Sequence, residues 1–288
     1  MDFRRYSYLI AACAILVLAI AIPVEFYFWF VAPTVEPLQS VQVFHPHFYR
    51  NPDISLDKIR LKVVYAVPQG KTAWSDWKNI LEQALRDNAR FHALQFRYTS
   101  QIAFDIFPEP VFLKNPAVYY DSNDTNRGNP RGLVAITQEL ETRLLTSGGD
   151  LYSPEFAHKN PNEYTVLGIF YEGVGATGGT IYESDTGSFR KIVERPKLPE
   201  TVIADVRLKD WNSFFLLNRK FLTDIPYRVY GATLLYHEFG HTLGLPDAYD
   251  DHNEILSNDI MGGSRMGPIS AAYIDDATLR ALGVLPEK

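Results

Sequence analysis

The stretch HEFGHTLGLPD, residues 237–247, contains two histidines four residues apart and ends on an aspartate. On an α-helix, residues at that spacing share one face, so His237 and His241 would lie at a separation that suits a single metal ion. Gly244 would let the chain reverse after the helix, and Asp247 would return a carboxylate to the same ion. The stretch therefore predicts a metal site with three protein ligands and one open position, as in catalytic zinc sites.

Glu238 directly follows the first histidine. From there its carboxylate can reach a water on the metal without being a ligand itself. Zinc with three protein ligands lowers the pKa of such a water and polarises a carbonyl group. Glu238 would accept the proton of the attacking water and deliver it to the leaving amine, so the motif predicts hydrolysis of peptide bonds.

The helix that carries these residues is predicted to start at a cap on Asp224, with Pro226 in its first turn, and to stop at Gly244. A bare HExxH arises by chance in roughly one in a hundred chains of this length. Adding Gly244 and Asp247 lowers that rate by a further factor of roughly three hundred. The alternative is an exposed helix whose histidines have no role, and the apolar neighbours of the histidines argue against it.

A longer match supports a family resemblance. HEFGHTLGLPDAYD, followed by DIMG at residues 259–262, resembles the metzincin clan of zinc peptidases, with its extended HExxHxxGxx(H/D) motif and downstream methionine turn. The aspartate variant is similar to snapalysin and to immune inhibitor A-like peptidases. The resemblance implies an α+β, zincin-like fold with a mixed twisted sheet, an active-site helix, a methionine turn and a C-terminal helix, expected at residues 270–282. It also implies roles for five residues: His237, His241 and Asp247 as zinc ligands, Glu238 as the base, and Met261 as an apolar floor beneath the metal.

One position departs from that family. Several metzincins place a tyrosine two residues after the methionine, where it binds zinc at rest or stabilises the oxyanion, but this sequence has Gly263 there. Tyr249 and Tyr273 are both candidates for the role, and spacing does not choose between them.

The segment around and after Asp247 is rich in acidic residues. Alternative third ligands follow closely, namely Asp250, Asp251 and His252. Asp247 is favoured because the helix-ending glycine sets the distance over which the chain returns. The acidic cluster could also include calcium ligands, and its members are Asp247, Asp250, Asp251, Asn253, Glu254 and Asp259. It lacks a recognisable calcium-loop spacing, so a solvated acidic turn is the favoured interpretation.

The N-terminus has the features of a membrane segment. Residues 6–24 carry no charged side chain, and the apolar run resumes after Glu25, which is long enough to cross a bilayer as a helix. Arg4 and Arg5 precede it and predict a cytoplasmic N-terminus with the remaining chain exported. Signal-peptide cleavage near residues 19–21 and lipidation at Cys13 are the alternatives. The apolar stretch continues past both sites, so an uncleaved signal anchor is favoured.

The sequence is therefore divided into three segments. Residues 1–32 are predicted as cytoplasmic stub and transmembrane anchor, 33–54 as a stalk or wrapping arm, and 55–288 as the zinc metallopeptidase domain. Strands are predicted at 62–67, 103–107, 117–120 and 164–171, and helices after Asp76 and over 132–145. The glycine-rich run GVGATGG, residues 173–179, lacks the context of a phosphate loop and is interpreted as a flexible loop.

Composition limits the partners. The chain has 28 basic and 34 acidic residues, a net charge of -6 and no basic block, which argues against nucleic-acid binding. A single cysteine excludes an internal disulfide and a thiolate zinc site. We therefore expect a membrane-anchored, extracytoplasmic zinc endopeptidase whose peptide or protein substrate lies extended beside an edge strand. A secreted form after signal cleavage and an inactive zinc-binding module are the rival hypotheses. The oligomeric state is left open.

Overall fold

The computed structural model describes residues 44–121, 130–175, 177–180, 189–191, 201–204, 213–249 and 254–287. The predicted signal anchor at residues 1–32 and the first part of the predicted arm lie outside these ranges. Within them, no helix combines the length and the apolar character that crossing a membrane requires.

A mixed sheet forms the centre of the described structure. Its strands, with those of two small ribbons, are β1 (His47–Phe48), β2 (Asn51–Ser55), β3 (Lys58–Gln69), β4 (Gln101–Ile106), β5 (Val111–Pro116), β6 (Tyr164–Tyr171), β7 (Thr177–Thr180), β8 (Phe189–Lys191), β9 (Thr201–Ala204) and β10 (Ser213–Asn218). The order in the main sheet is β4-β3-β6-β10-β7, with β5 paired to the later part of β3. Within the main sheet, paired strands are parallel except β7, which runs antiparallel to β10. The mixed sheet expected of an α+β fold is confirmed.

Helices lie on both faces of this sheet. They are α1 (Trp77–Gln95), α2 (Ala117–Tyr120), α3 (Pro130–Leu140) with a π-helical extension (Glu141–Leu145), α4 (Pro154–Ala157), α5 (Lys220–Thr223), α6 (Gly231–Thr242) and α7 (Asp276–Ala281). Short 3-10 turns span Gly263–Met266 and Ile269–Ala271. The predicted helix after Asp76 is confirmed as α1, and the predicted strand at residues 164–171 is confirmed as β6.

The sheet separates two hydrophobic cores. Strand β6 is buried along its whole length, as expected of a central parallel strand covered on both faces. Alternate residues of β3 face opposite sides, so Val63 and Tyr65 join a core with α1 and α6, whereas Val64 and Ala66 join a core with α3. The histidine motif therefore lies on a helix that packs against one face of the sheet.

The described part of the predicted arm packs against the motif helix and the C-terminal segment. Phe48 is fully buried in the core shared by α1 and α6. The backbone N–H of Tyr49 donates to the Leu243 carbonyl at 3.0 Å, and that of His47 donates to the Leu282 carbonyl at 2.9 Å. Residues 44–54 of the predicted arm thus belong to the same compact unit as the motif helix.

Two predicted elements differ from the structure. Residues 117–120 form the one-turn helix α2, and the strand lies just before it as β5. Pro116 ends that strand because its ring nitrogen cannot donate to a sheet ladder. The flexible loop that the sequence predicts for the glycine-rich run is wrong at residues 177–179, because these residues pair with β10 as part of β7.

The C-terminal helix is shorter than the predicted range of 270–282. It covers Asp276–Ala281, and the Asp275 side chain caps it by accepting from the Thr278 N–H at 2.7 Å. The preceding chain is extended, because the Ile260 N–H donates to the Tyr273 carbonyl at 2.8 Å. If the helix extended through residue 273, the Tyr273 carbonyl would accept a hydrogen bond from within the helix, and its hydrogen bond with the Ile260 N–H would be lost.

Candidate metal centre

The motif helix α6 begins later than the sequence predicts. Asp224 instead begins a separate turn before α6, in which its carbonyl accepts from the Tyr227 and Arg228 N–H groups. Tyr230, at φ -121° and ψ 3°, interrupts the helical path. At Gly231 an added Cβ would lie 2.0 Å from the Phe221 carbonyl oxygen, so this close backbone approach sets the start of α6.

The predicted end of the helix is confirmed. Gly244 has φ +87°, the left-handed conformation that glycine tolerates best, and its N–H donates to the His241 carbonyl at 3.0 Å. An added Cβ there would lie 2.5 Å from the Phe48 ring. The reversal at Gly244 directs the next residues back toward the face of α6 that carries the histidines.

The three predicted ligands converge. One ligand atom from each of His237, His241 and Asp247 lies within 4.8 Å of the other two, and all three residues are buried. Oδ1 of Asp247 is 3.4 Å from Nε2 of His237 and 3.2 Å from Nε2 of His241. The separation across the reversal is therefore short enough for one ion to contact all three groups.

Backbone carbonyls orient both imidazoles. Nδ1 of His237 donates to the Ile260 carbonyl at 3.0 Å, and Nδ1 of His241 donates to the Leu245 carbonyl at 2.8 Å. A carbonyl oxygen can only accept, so each Nδ1 carries the proton and each neutral Nε2 presents a lone pair. This is the tautomer that metal-binding histidines need.

The donor set fits a divalent cation. Oδ1 of Asp247 is buried and has no hydrogen-bond partner. Two imidazole lone pairs and this carboxylate oxygen therefore face one another. These three electron-rich atoms repel one another unless a positive charge lies between them. Two histidines and one carboxylate are a ligand set that suits zinc.

The electrostatics of the site also favour positive charge. Burial is the largest single effect and lowers the pKa of His241, but the Asp247 carboxylate, the Glu238 charge and the hydrogen bond to Leu245 together outweigh it and raise that pKa above its ordinary value. Burial alone raises the pKa of Asp247, but the two histidines hold it well below its ordinary range. Asp247 is thus a carboxylate, ready to act as a ligand, near neutral pH.

Glu238 lies beside the converging set and is not a member of it. Its side chain is buried at 8% exposure. Its negative charge contributes to the raised pKa values of His241 and Tyr249, which places the carboxylate near both groups.

Met261 lies under the motif helix. A Cβ added at Gly240 would lie 2.8 Å from its sulfur, so the side chain packs directly against α6. The Met261 carbonyl accepts from the Ala248 N–H at 2.9 Å, next to the third ligand. Asp259 holds the turn by accepting from the Met261 N–H at 3.1 Å. The segment therefore positions Asp247 as well as His237.

Of the two candidate tyrosines, Tyr249 lies at the site. Its ring is 6.1 Å from the His237 ring at an interplanar angle of 25°. Burial first, and then the charges of Asp247 and Glu238, raise the pKa of its phenol. Tyr273 is 43% exposed and contributes its backbone carbonyl to the methionine turn.

Sequence reasoning missed Arg265. Its guanidinium carbon lies 3.8 Å from the centre of the Tyr249 ring. No periodicity or motif spacing connects the two positions, because the contact depends on how the methionine turn folds back onto the third ligand.

A calcium site has no support. Asp250, Asp251 and Asn253, with the alternative ligand His252, lie outside the described residues. Asp259 is fully buried, and its side chain accepts the hydrogen bond from the Met261 N–H. Burial, and then the charge of Asp275, raises the pKa of Asp259 to about 6. In the part of the chain that the structure describes, His237, His241 and Asp247 form the one group of three or more histidine and carboxylate side chains whose possible ligand atoms converge.

No protein-family model and no curated protein sequence matches this chain. Among solved structures, it is similar to catalytically inactive OgpA from Akkermansia muciniphila in complex with an O-glycopeptide, at a TM-score of 0.40 and 14% identity over 78% of this chain. The match spans 60% of that protein's chain. The chain is also similar to archaemetzincin from Methanopyrus kandleri, at a TM-score of 0.36 and 11% identity over 78% of this chain and 94% of that one.

Proposed function

We propose that the protein is a zinc-dependent endopeptidase. The convergence of His237, His241 and Asp247 within 4.8 Å, with Glu238 beside them, is the observation that carries this proposal. The two imidazoles and the carboxylate would hold the ion. Zinc bound by three protein ligands supplies a water of lowered pKa and a Lewis acid for a carbonyl group.

Glu238 acts as general base and then as general acid. It follows His237 directly on α6, and its charge acts on both His241 and Tyr249, which supports a position beside the ligands. The carboxylate takes a proton from the attacking water and passes it to the leaving amine. Its burial, at 8% exposure, limits competition from bulk water.

Among the residues that the structure describes, Tyr249 is the group best placed to assist the carbonyl oxygen of the substrate. Its phenol neighbours both Asp247 and Glu238, and its raised pKa keeps it protonated and able to donate. A donated hydrogen bond becomes stronger as negative charge develops on that oxygen. Tyr249 thus takes the role that several metzincins give to a tyrosine two residues after the methionine, where this chain has Gly263.

The substrate is a peptide or protein segment in extended form. Strand β7 is the last strand of the sheet order among the described residues, and it contacts the motif helix. An extended peptide added alongside it would gain main-chain hydrogen bonds and pass near the ligands. Membrane anchoring through residues 1–32 and an extracytoplasmic location stay predictions from the sequence.

A comparison of the wild-type protein with Glu238→Gln tests the proposal. Both proteins are expected to bind zinc equally, while the variant loses about 10²–10⁴-fold in kcat/KM on a broad peptide library. Glu82→Gln, an exposed change on α1, is the matched control and should keep full activity. Zinc binding without cleavage of any peptide by the wild type would instead support the inactive zinc-binding module.

A further inference from the structure

Arg265 is held at two points beside the candidate metal centre. Its Nη1 donates to the Gly262 carbonyl at 2.8 Å, within the chain that follows Met261. Its guanidinium carbon lies 3.8 Å from the centre of the Tyr249 ring, inside the range of a cation–π contact. The half-buried side chain thus joins the methionine turn to the segment that carries the third ligand.

The Tyr249 side chain has other neighbours as well, since its hydroxyl interacts with the Asp247 carboxylate. Its backbone forms an isolated bridge with Ile255, outside the named strands. The His237 ring lies nearly parallel to the Tyr249 ring, with the ring centres 6.1 Å apart. The Arg265 guanidinium lies over the ring face at 3.8 Å from the ring centre, so together with these neighbours it restricts the direction in which the hydroxyl points.

We propose that Arg265 is a positioning residue that acts through Tyr249. It holds the phenol beside Asp247 and Glu238, where the hydroxyl can donate to the carbonyl oxygen of a bound peptide. The positive charge over the ring also draws electron density from the hydroxyl and makes it a stronger donor. The proposal rests on the proposed function and assigns to that site a residue that supports transition-state binding.

A different role for Arg265 predicts a different result. As a binding group for an acidic substrate side chain, the arginine would change KM for acidic peptides and leave neutral ones unaffected. As a positioning residue, it changes kcat for every peptide and acts only while the Tyr249 hydroxyl is present. The two roles are separated by kinetics on matched acidic and neutral peptides.

The experiment compares Arg265→Met, Tyr249→Phe and the double variant in the full chain, after zinc content has been matched. Arg265→Met is expected to lower kcat roughly 2- to 30-fold, the range of a cation–π contact, with little change in KM. Tyr249→Phe should lower kcat at least as much, and the double variant should be no slower than Tyr249→Phe alone. Arg86→Met, on the exposed face of α1, is the control and should match the wild type.

A second readout does not depend on catalysis. Tyrosine ring resonances labelled with ¹³C should show a shift of the Tyr249 signal in Arg265→Met, with Tyr249→Phe providing its assignment. Affinity for a phosphinic peptide, which mimics the developing oxyanion, should fall by the same factor as kcat. Arg265→Lys keeps the charge and should recover part of both losses. If Arg265→Met does not fold, Arg265→Lys with its own double variant carries the test.

Several results would overturn the proposal. Additive losses in the double variant would mean that Arg265 does not act through Tyr249. An unchanged Tyr249 resonance, or a loss confined to KM on acidic peptides, would assign Arg265 another role. A wild-type protein that binds zinc but cleaves no peptide would remove the proposed function instead, while the resonance shift would still report the contact between the two side chains.

Discussion

Oδ1 of Asp247 lies 3.2 Å from Nε2 of His241, and both side chains are buried. Because Nδ1 of His241 already donates to Leu245, only a proton or a metal ion on Nε2 can satisfy this pair. The Asp247 charge raises the pKa of His241 against the opposing effect of burial. Protons and zinc therefore compete for the same nitrogen.

Zinc affinity is expected to depend on pH through His241. The raised pKa means that protonated His241 stabilises the zinc-free fold at low pH, and that this contribution is lost as the pH rises through the folded value. Below that value the apparent zinc affinity should fall about tenfold per pH unit, because binding must displace one proton. Competition with a chelator from pH 5 to 8 measures this slope, and an affinity that is constant over the range would contradict it.

Gly244→Ala should impair both folding and zinc binding. The φ of +87° disfavours any side chain, and the new methyl group would lie 2.5 Å from the Phe48 ring. We expect the free energy of unfolding to fall by about 1–3 kcal/mol, from left-handed strain and overpacking together. Zinc affinity should fall as well, because the same reversal returns Asp247 to the histidines.

Denaturant unfolding and zinc titration measure the two effects of Gly244→Ala. Gly148→Ala is the matched control, since a Cβ there has no atom within 4 Å and the residue lacks a positive φ. A Gly244→Ala protein as stable as the control would show that the reversal tolerates a side chain.

A buried polar chain connects α1 to the motif helix. The hydroxyl of Ser100 donates to the Leu56 carbonyl, so it must accept from Nε2–H of His92 at 2.7 Å. Nδ1 of His92 is then left to accept from the Tyr236 hydroxyl at 2.9 Å. All donors point in one direction, which requires His92 to be neutral, and complete burial lowers its pKa to about 3.

This neutral histidine should make stability depend on pH. The unfolded chain binds a proton at His92 below a pKa of about 6.5, whereas the folded protein does so only near 3. His92 therefore contributes full stability above pH 6.5, and about 1.4 kcal/mol is lost per pH unit as the pH falls between these values. His92→Gln should be less stable than the wild type at pH 7, by about 1–3 kcal/mol. The difference should shrink toward pH 4.

Urea unfolding in the presence of a chelator, at pH 4 to 7, measures this convergence. His158→Gln changes an exposed histidine and should follow the wild type at every pH. A constant gap between wild type and His92→Gln would contradict the assignment of His92 as a neutral buried residue.

The sequence predicts the parts of the site that depend on local geometry. His237 and His241 share a face because of the helical period, and Gly244 ends the helix because only a left-handed residue can turn there. Given the shared helical face and the reversal at Gly244, the short stretch from Gly244 to Asp247 is enough to predict that the Asp247 carboxylate returns to the histidines. The central strand β6 was equally predictable, since its continuous apolar run is typical of a strand buried on both faces.

Features that depend on distant contacts were not predictable. The start of α6 at Gly231 is set by the backbone of Phe221, and the extended chain before α7 is set by pairing with Ile260. The choice of Tyr249 over Tyr273, and the contact with Arg265, likewise depend on how two loops pack together. Helix propensity and motif spacing carry no information about such packing.

The metal content of the purified full chain tests the central claim most directly. We expect one zinc per chain in the wild type and in His158→Ala, an exposed histidine used as the control, with chelator-sensitive peptide cleavage in both. His241→Ala and Asp247→Ala should each lose the zinc and the cleavage together, while remaining folded by circular dichroism. Full zinc occupancy in both of these variants, or no zinc in the wild type, would contradict the three-ligand site.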